Sequence, residues 1–133
     1  FAGSIIGTGT LTNTGTLRLV GDAVLDFTGT FTNTGILDIM TWNGVLPAGF
    51  VNNGIVLDRS AVKIDSVEMA GTSFAVTVTA YAGHVYQLQR SDDLSGPWEN
   101  IGPAQAGGNA PITLSDPAGA TGDRRFYRVS VSP

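Results

Sequence analysis

Side chains suited to acid–base chemistry are few in this sequence, and most of them lie in predicted turns. His84 is the only histidine, in the stretch "YAGHVY", whose glycine indicates a turn. Asp92–Asp93 is a local acidic pair, and Asp116–Pro117 and Gly122–Asp123 are typical turn dipeptides. A catalytic acid–base pair instead requires two groups that face each other across a site. We therefore predict no catalytic residue and no enzymatic activity.

The sequence contains few residues that could bind a metal or a cofactor. Cysteine is absent, which excludes disulfides, thiolate catalysis and thiolate metal ligands. The loop "SDDLS" at 91–95 offers oxygen ligands of the kind calcium prefers, but its spacing matches no known calcium loop. We predict no cofactor and no metal, with a structural calcium in this loop as the open alternative.

Two tryptophans are candidates for stacking on a ligand. Trp98 follows Gly96–Pro97 at the start of a predicted strand, which favours a role in packing. Trp42 precedes Asn43–Gly44, a tight-turn signal. We expect Trp42 to be exposed at a corner, where its ring contacts a sugar or a neighbouring subunit.

The composition limits the class of fold and of partner. Only 14% of the 133 residues are charged, whereas about a quarter is usual. The 18 glycines and the many threonines favour short strands and turns over helices. The net charge of −4 and the absence of a basic cluster exclude a nucleic-acid partner. No run of about 18 apolar residues is present, so we predict no membrane span.

A repeat dominates the first 60 residues. "LTNTGTLRLV" at 11–20 returns as "FTNTGILDIM" at 31–40 and, more weakly, as "FVNNGIVLDR" at 50–59. This period, with strand-like alternation, predicts a short β-solenoid of about 20 residues per coil over residues 1–60. Asp58 takes the place of Leu19 and Ile39, and an aspartate is costly there unless it is paired. The repeat is therefore expected to end near Asp58.

Asparagine recurs at one inward-facing corner of each repeat. We predict that Asn13, Asn33 and Asn52 lie above one another and bond to neighbouring backbone groups, forming a structural ladder. Ile36 and Ile55 are predicted to point outward beside the repeated glycine. Outward isoleucines favour a contact with another subunit or domain, although scattered apolar surface residues are also normal.

The repeats are too few to bury a large core alone, since about three are usually needed. Open ends also leave unpaired strand edges. Three remedies follow: further coils upstream, capping by a second domain, or self-association. Because the sequence begins with Phe1 rather than Met, we interpret it as a processed or excised piece of a longer protein.

The period disappears in residues 61–133. Six strand-like runs follow, separated by turn signals, and "SFAVTVTAY" alternates cleanly between apolar and polar residues. The runs lie at 62–69, 74–81, 85–90, 98–101, 112–114 and 126–131. They predict a domain with an antiparallel immunoglobulin/fibronectin-like β-sandwich. The whole chain is thus predicted to be all-β.

Two segments of this half, "YQLQRSDDLSGPWENIG" and "ITLSDPAGATGDRRFYRVSV", resemble a C-terminal β-sandwich module of large secreted proteins of Verrucomicrobia and Planctomycetes. The matching residues are Tyr86, Leu88, Gln89, Ser91, Asp93, Leu94, Trp98, Asp116, Pro117, Arg125, Phe126, Tyr127, Arg128 and Val129. The N-terminal repeats resemble the β-helical passenger regions of autotransporters. The resemblance implies an extracellular or bacterial cell-surface location and transfers no catalytic motif.

These observations predict a non-catalytic extracellular structural module for assembly, surface attachment or adhesion. We expect a homo-oligomer, a trimer or a filament, that forms through the edges of the solenoid. The alternative is a carbohydrate-binding module of a secreted polysaccharide-active enzyme that uses Trp42 and polar groups of the sandwich loops. A polysaccharide or a cell surface is then the partner.

Overall fold

The structure is a computed structural model that describes residues 1–119, 121 and 124–133. In this part of the chain the regular elements are β-strands and one short 3-10 helix, so the all-β prediction is confirmed. Both parallel and antiparallel sheets occur, and none of those described closes into a barrel. No helix in these ranges is long and apolar enough to cross a membrane. The predicted Gly122–Asp123 turn lies outside the described residues.

The chain divides into an N-terminal unit, Phe1–Ala61, and a C-terminal unit, Val62–Pro133. The strands of the N-terminal unit are β1 (Ser4–Gly7), β2 (Thr10–Asn13), β3 (Thr16–Arg18), β4 (Val24–Phe27), β5 (Thr30–Asn33), β6 (Ile36–Asp38), β7 (Phe50–Asn52) and β8 (Ile55–Leu57). They form three parallel sheets, in the orders β1–β4, β2–β5–β7 and β3–β6–β8. The 3-10 helix Arg59–Ala61 follows β8.

The register of these sheets follows the sequence repeat. Asn13 pairs with Asn33 and Asn33 with Asn52, at separations of 20 and 19 residues. The same offsets relate the members of the β3–β6–β8 sheet. Equivalent residues of successive repeats therefore lie side by side in columns that run across the strands.

Burial is greatest at the second repeat in the two columns that contain Phe31 and Leu37. Phe31 and Leu37, in the middle repeat, are fully buried. Their neighbours in the first and last repeats are only partly buried, namely Leu11, Phe50, Leu17 and Val56. The middle residue is covered from both sides, whereas each outer residue is covered from one side. The apolar core of this unit is therefore centred on the second repeat.

One strand of the N-terminal unit was not predicted. Strand β1 pairs in parallel with β4, and Ile5 lies beside Leu25. The signal was the column Gly9, Gly29 and Gly49, which extends the period toward the N-terminus. A Cβ atom at Gly29 would overlap the carbonyl of Gly9, so the close approach of the strands requires glycine there.

The strands of the C-terminal unit are β9 (Ile64–Ala70), β10 (Ser73–Ala80), β11 (Val85–Ser91), β12 (Glu99–Ala106), β13 (Ala110–Asp116) and β14 (Phe126–Ser132). They form two antiparallel sheets, in the orders β13–β10–β9 and β12–β11–β14. Alternate residues of β10 and β11, including Val76, Val78, Tyr86 and Leu88, meet in one buried cluster. Each predicted run overlaps one strand, although β12 continues to Ala106 and β13 extends beyond the predicted 112–114 at both ends.

Candidate functional site

The asparagine column consists of Asn13, Asn33 and Asn52 and is a directed chain of hydrogen bonds. Asn13 Nδ2 donates to Asn33 Oδ1, and Asn33 Nδ2 donates to Asn52 Oδ1, each at 2.8 Å. The same two nitrogens also donate to the backbone oxygens of Ile36, at 2.9 Å, and Ile55, at 3.1 Å. Asn33 is fully buried, and these bonds satisfy its amide. The column thus ties the side chain of each repeat to the next repeat.

The column ends differently on its two sides. Among the described residues, none donates a hydrogen bond to Asn13 Oδ1. At the other end, Asn52 Nδ2 donates within its own turn, to the Gly54 oxygen at 3.2 Å. One end of the N-terminal unit therefore presents an acceptor, and the other presents a donor held only by a local bond.

The strands at both ends of the N-terminal unit are sheet edges. Strands β2 and β3 form one edge, and β7 and β8 form the other. Ile36 lies in the central strand β6 and is half-buried, in register with Ile55. Ile55 lies on the edge strand β8 and is 56% exposed. Of the two isoleucines predicted to make contacts, Ile55 is thus the one accessible to a partner.

Trp42 is buried, so the expectation of an exposed ring is wrong. It is only 5% exposed, and its Nε1 donates to the Ala23 oxygen at 2.7 Å. A Cβ atom at Gly44 would overlap the indole ring, so the following glycine makes room for it. Folding the ring over Ala23 buries its apolar surface and satisfies its single donor. At 5% exposure, Trp42 offers too little surface for its ring to stack on a sugar or a subunit.

A buried ion pair in the N-terminal unit was not predicted. Arg18 Nε and Asp38 Oδ2 are 2.8 Å apart, and Asp38 is 2% exposed. A second oxygen of Asp38 accepts from the Met40 amide at 3.3 Å. The signal was the separation of 20 residues, which places Arg18 and Asp38 side by side in register. The pair stabilises adjacent repeats and leaves no open charge.

The C-terminal unit contains a buried carboxylate, Asp116, that is 2% exposed. Its Oδ2 accepts from Arg90 Nη1 and from the Tyr127 hydroxyl, each at 2.9 Å, and its Oδ1 accepts from the Ala118 amide at 3.0 Å. Burial alone would raise the pKa of Asp116, but the Ala118 amide, Tyr127 and Arg90 hold it below its ordinary value. Burial and the nearby carboxylate raise the pKa of Tyr127. The group is a bonded structural cluster that joins β11, β13 and β14.

An open cleft of about 400 Å³ lies beside this cluster. Its lining includes Arg90, Asp93, Glu99 and Arg125, so both signs of charge are present. Arg90 pairs with Glu99 at 2.9 Å as well as with Asp116. Because these charged side chains pair with each other, the cleft indicates no particular ligand.

The other predicted polar residues of the C-terminal unit serve local structure. His84 is 1% exposed, in the turn between β10 and β11, and its amide donates to the Tyr81 oxygen at 3.3 Å. Asp93 Oδ1 accepts from both the amide and the hydroxyl of Ser95 at 2.9 Å, and these bonds lower the pKa of Asp93. The described residues contain no group of three histidines or acids placed to hold a metal.

Trp98 is half-buried, and the Arg128 guanidinium lies 4.2 Å from the centre of its ring. Arg128 Nε also donates to Gln89 Oε1 at 2.7 Å, and Gln89 Nε2 donates to Asn100 Oδ1 at 2.8 Å. This arrangement uses one face of the ring for packing within the chain.

Comparison with known proteins gives no relative of this chain. No protein-family model matches it, and no curated protein or solved structure shows significant similarity. The resemblance to secreted β-sandwich modules and to autotransporter repeats therefore stays a prediction. The features of this chain that bear on its function are the two edges of the N-terminal unit and the closed core of the C-terminal unit.

Proposed function

We propose that this chain is a non-catalytic structural module that self-associates at the outside of a bacterial cell. In this proposal the N-terminal unit is a short β-solenoid. Parallel pairing at offsets of 20 and 19 residues supports that description. The C-terminal unit is an immunoglobulin/fibronectin-like β-sandwich, which is supported by two antiparallel sheets that share one core.

The observation that carries the proposal is the difference in burial between the middle and the ends of the repeat. Phe31 is fully buried, whereas Leu11 and Phe50 in the same column are only partly buried. Covering apolar surface contributes about 25 cal/mol per Å². Edge strands that also offer unpaired backbone groups are templates for another strand. A partner at either end would therefore gain both apolar burial and hydrogen bonds.

The location rests on the resemblance of residues 61–133 to modules of secreted bacterial proteins. An extracellular position is consistent with a charge-poor surface that is rich in threonine and glycine. Surface attachment or adhesion then follows from assembly, because linked copies present many identical faces at once.

Sedimentation velocity of the chain over a wide range of concentration tests the proposal. We expect the average mass to rise with concentration. Ile55→Lys, which places a charge on the edge strand β8, should weaken this association. Val67→Lys is the matched control, because Val67 is 58% exposed on the edge strand β9 of the other unit. A chain that stays monomeric at every concentration contradicts the proposal.

The carbohydrate-binding alternative loses one of its two supports, because Trp42 is buried, and keeps the polar groups of the sandwich loops. The ring of Trp98 is covered on one side by Arg128. The alternative stays a prediction that a panel of polysaccharides would test. Binding that survives in Ile55→Lys would favour it over assembly.

A further inference from the structure

We propose that copies of this chain bind head to tail, with the β7–β8 edge of one copy against the β2–β3 edge of the next. This inference rests on the proposed function and specifies the partner as a second copy in one orientation. Three features of the edges support it: the direction of the asparagine column, an unexplained glycine and the backbone pattern.

The direction of the asparagine column fits only one order of ends. Within the unit, the amide nitrogen of each asparagine donates to the oxygen of the asparagine in the following repeat. Asn52 Nδ2 is the next donor, and Asn13 Oδ1 is an acceptor to which no described residue donates. A head-to-tail contact joins these two atoms and continues the column into the next copy. Two identical edges would instead bring together two acceptors or two donors.

The glycine column, Gly15, Gly35 and Gly54, points to a neighbour at the first repeat. A Cβ atom at Gly35 would overlap the carbonyl oxygen of Gly15, and one at Gly54 would overlap that of Gly35. A Cβ atom at Gly15 would meet nothing within 4 Å, and its backbone lies outside the left-handed region. Nothing in the described chain therefore requires glycine at position 15. In a head-to-tail contact the Gly54 oxygen of another copy occupies that space.

The backbone bonds repeat the same order. The amide that follows each glycine donates to the glycine carbonyl of the preceding repeat, at 2.7 Å to Gly15 and 2.9 Å to Gly35. Gly54 O is the next acceptor in this series, and the amide of Thr16 is the corresponding donor at the other edge. The Phe1 nitrogen donates to the Arg18 oxygen at 2.7 Å, so the Arg18 carbonyl is not available to a second copy.

Contacts between two different edges do not close by two-fold symmetry. A head-to-tail interface either closes into a ring or continues as an open filament. The parallel repeats advance in one direction, so continuation of the same stacking gives a filament with two distinct ends. Each filament would have an asparagine acceptor at one end and an asparagine donor at the other.

Two variants that each block one edge test this orientation. Gly15→Ala adds a methyl group where a neighbouring copy must place its Gly54 oxygen, but the open space lets the single chain fold. Asn52→Asp removes the terminal donor and keeps the oxygen that accepts from Asn33. Every copy of either variant has one faulty edge. We expect the self-association of each variant, measured by sedimentation velocity, to weaken about tenfold or more, the loss typical of an unpaired buried polar group.

Mixing the two variants gives the decisive result. The intact β7–β8 edge of Gly15→Ala fits the intact β2–β3 edge of Asn52→Asp, so an equimolar mixture should form heterodimers that grow no further. Gly108→Ala and Asn53→Asp are the matched controls and should associate like the unaltered chain. Gly108 also has open space around it, and Asn53 makes no side-chain bond in the column.

The outcomes separate the orientation from assembly itself. An unaltered chain that never associates overturns the proposed function together with this inference. Association that persists in Gly15→Ala alone or Asn52→Asp alone, or a mixture that stays monomeric, overturns the head-to-tail order and leaves assembly standing. Circular dichroism verifies that each variant folds. If one does not, Thr12→Lys and Ile55→Lys block the same two edges through exposed side chains.

Discussion

The two units satisfy their buried polar groups in opposite ways. In the C-terminal unit, Asp116 gathers donors from several different elements and its bonding is complete within the unit. In the N-terminal unit, each asparagine bonds to its copy in the next repeat, so the chain of bonds has two ends. A hydrogen-bond network that converges on one carboxylate is complete within its unit. A network in which each repeat bonds to the next ends only at the first and last repeats. This difference explains why the N-terminal unit carries the candidate assembly surface.

The asparagine column allows one substitution to be compared at two depths. Asn33→Asp removes a donor and places a carboxylate at a fully buried position, so we expect the free energy of unfolding to fall by about 3–5 kcal/mol. Asn52→Asp makes the same change at an exposed position and should cost about 1 kcal/mol or less. Urea unfolding of both variants measures the difference. Equal losses would contradict the view that burial grows toward the middle repeat.

The converging network of the C-terminal unit is expected to be nearly as sensitive. Asp116→Ala leaves the Arg90 guanidinium and the Tyr127 hydroxyl without their shared acceptor, and we expect a loss of about 3 kcal/mol. In this variant, backbone amide hydrogen exchange should be faster in peptides from residues 62–133 than in the same peptides of the unaltered chain. Glu99→Ala is the control, since its carboxylate is exposed and its loss should cost under about 1 kcal/mol. Faster exchange in residues 1–61 alone would oppose this assignment.

The glycine column gives a third comparison. Gly35→Ala forces a methyl group against the Gly15 carbonyl, and we expect a loss of about 2 kcal/mol in the free energy of unfolding. Gly15→Ala in the same column has open space and should be close to neutral when the protein is dilute. Thermal unfolding at low concentration tests both. A large loss in Gly15→Ala under these conditions would show that the space is not open.

Acidification should produce the smallest effect, and we expect Asp116 of the C-terminal unit to contribute to it. The pKa of Asp116 is lower in the folded state than in the unfolded chain, so its stabilising contribution is present above the unfolded pKa. That contribution is lost as the pH falls below about 4, through the folded pKa. Urea unfolding of Asp116→Asn, which lacks this carboxylate, should show a weaker dependence on acid. An identical acid dependence in both proteins would assign the effect to another group.

Local patterns in the sequence predicted much of the fold. Alternation within "SFAVTVTAY" was sufficient for β10, because the two faces of a strand are set by neighbouring residues. The repeat predicted the inward asparagines, since register follows directly from the period. Strand β1 was missed because it shares little more than Ile5 and the glycine at 9 with the later repeats.

Contacts between distant residues were not predictable in the same way. The burial of Trp42 depends on an oxygen acceptor 19 residues earlier and on the bare glycine at 44. The Asp116 cluster joins three strands that no sequence pattern linked, so only the turn at 116–117 was expected. Sequence reasoning therefore located the asparagine column but misjudged the tryptophan.

The repeat of the N-terminal unit does not itself limit the number of repeats that can stack. Duplication or loss of one whole repeat would change the length of the stack by a single strand layer, about 4.8 Å, while its first and last layers kept the same residues. In the proposed assembly, a longer or shorter stack would therefore keep the same two edges for contact with a second copy. The length of the stack and the contacts at its two edges would then be set by different residues.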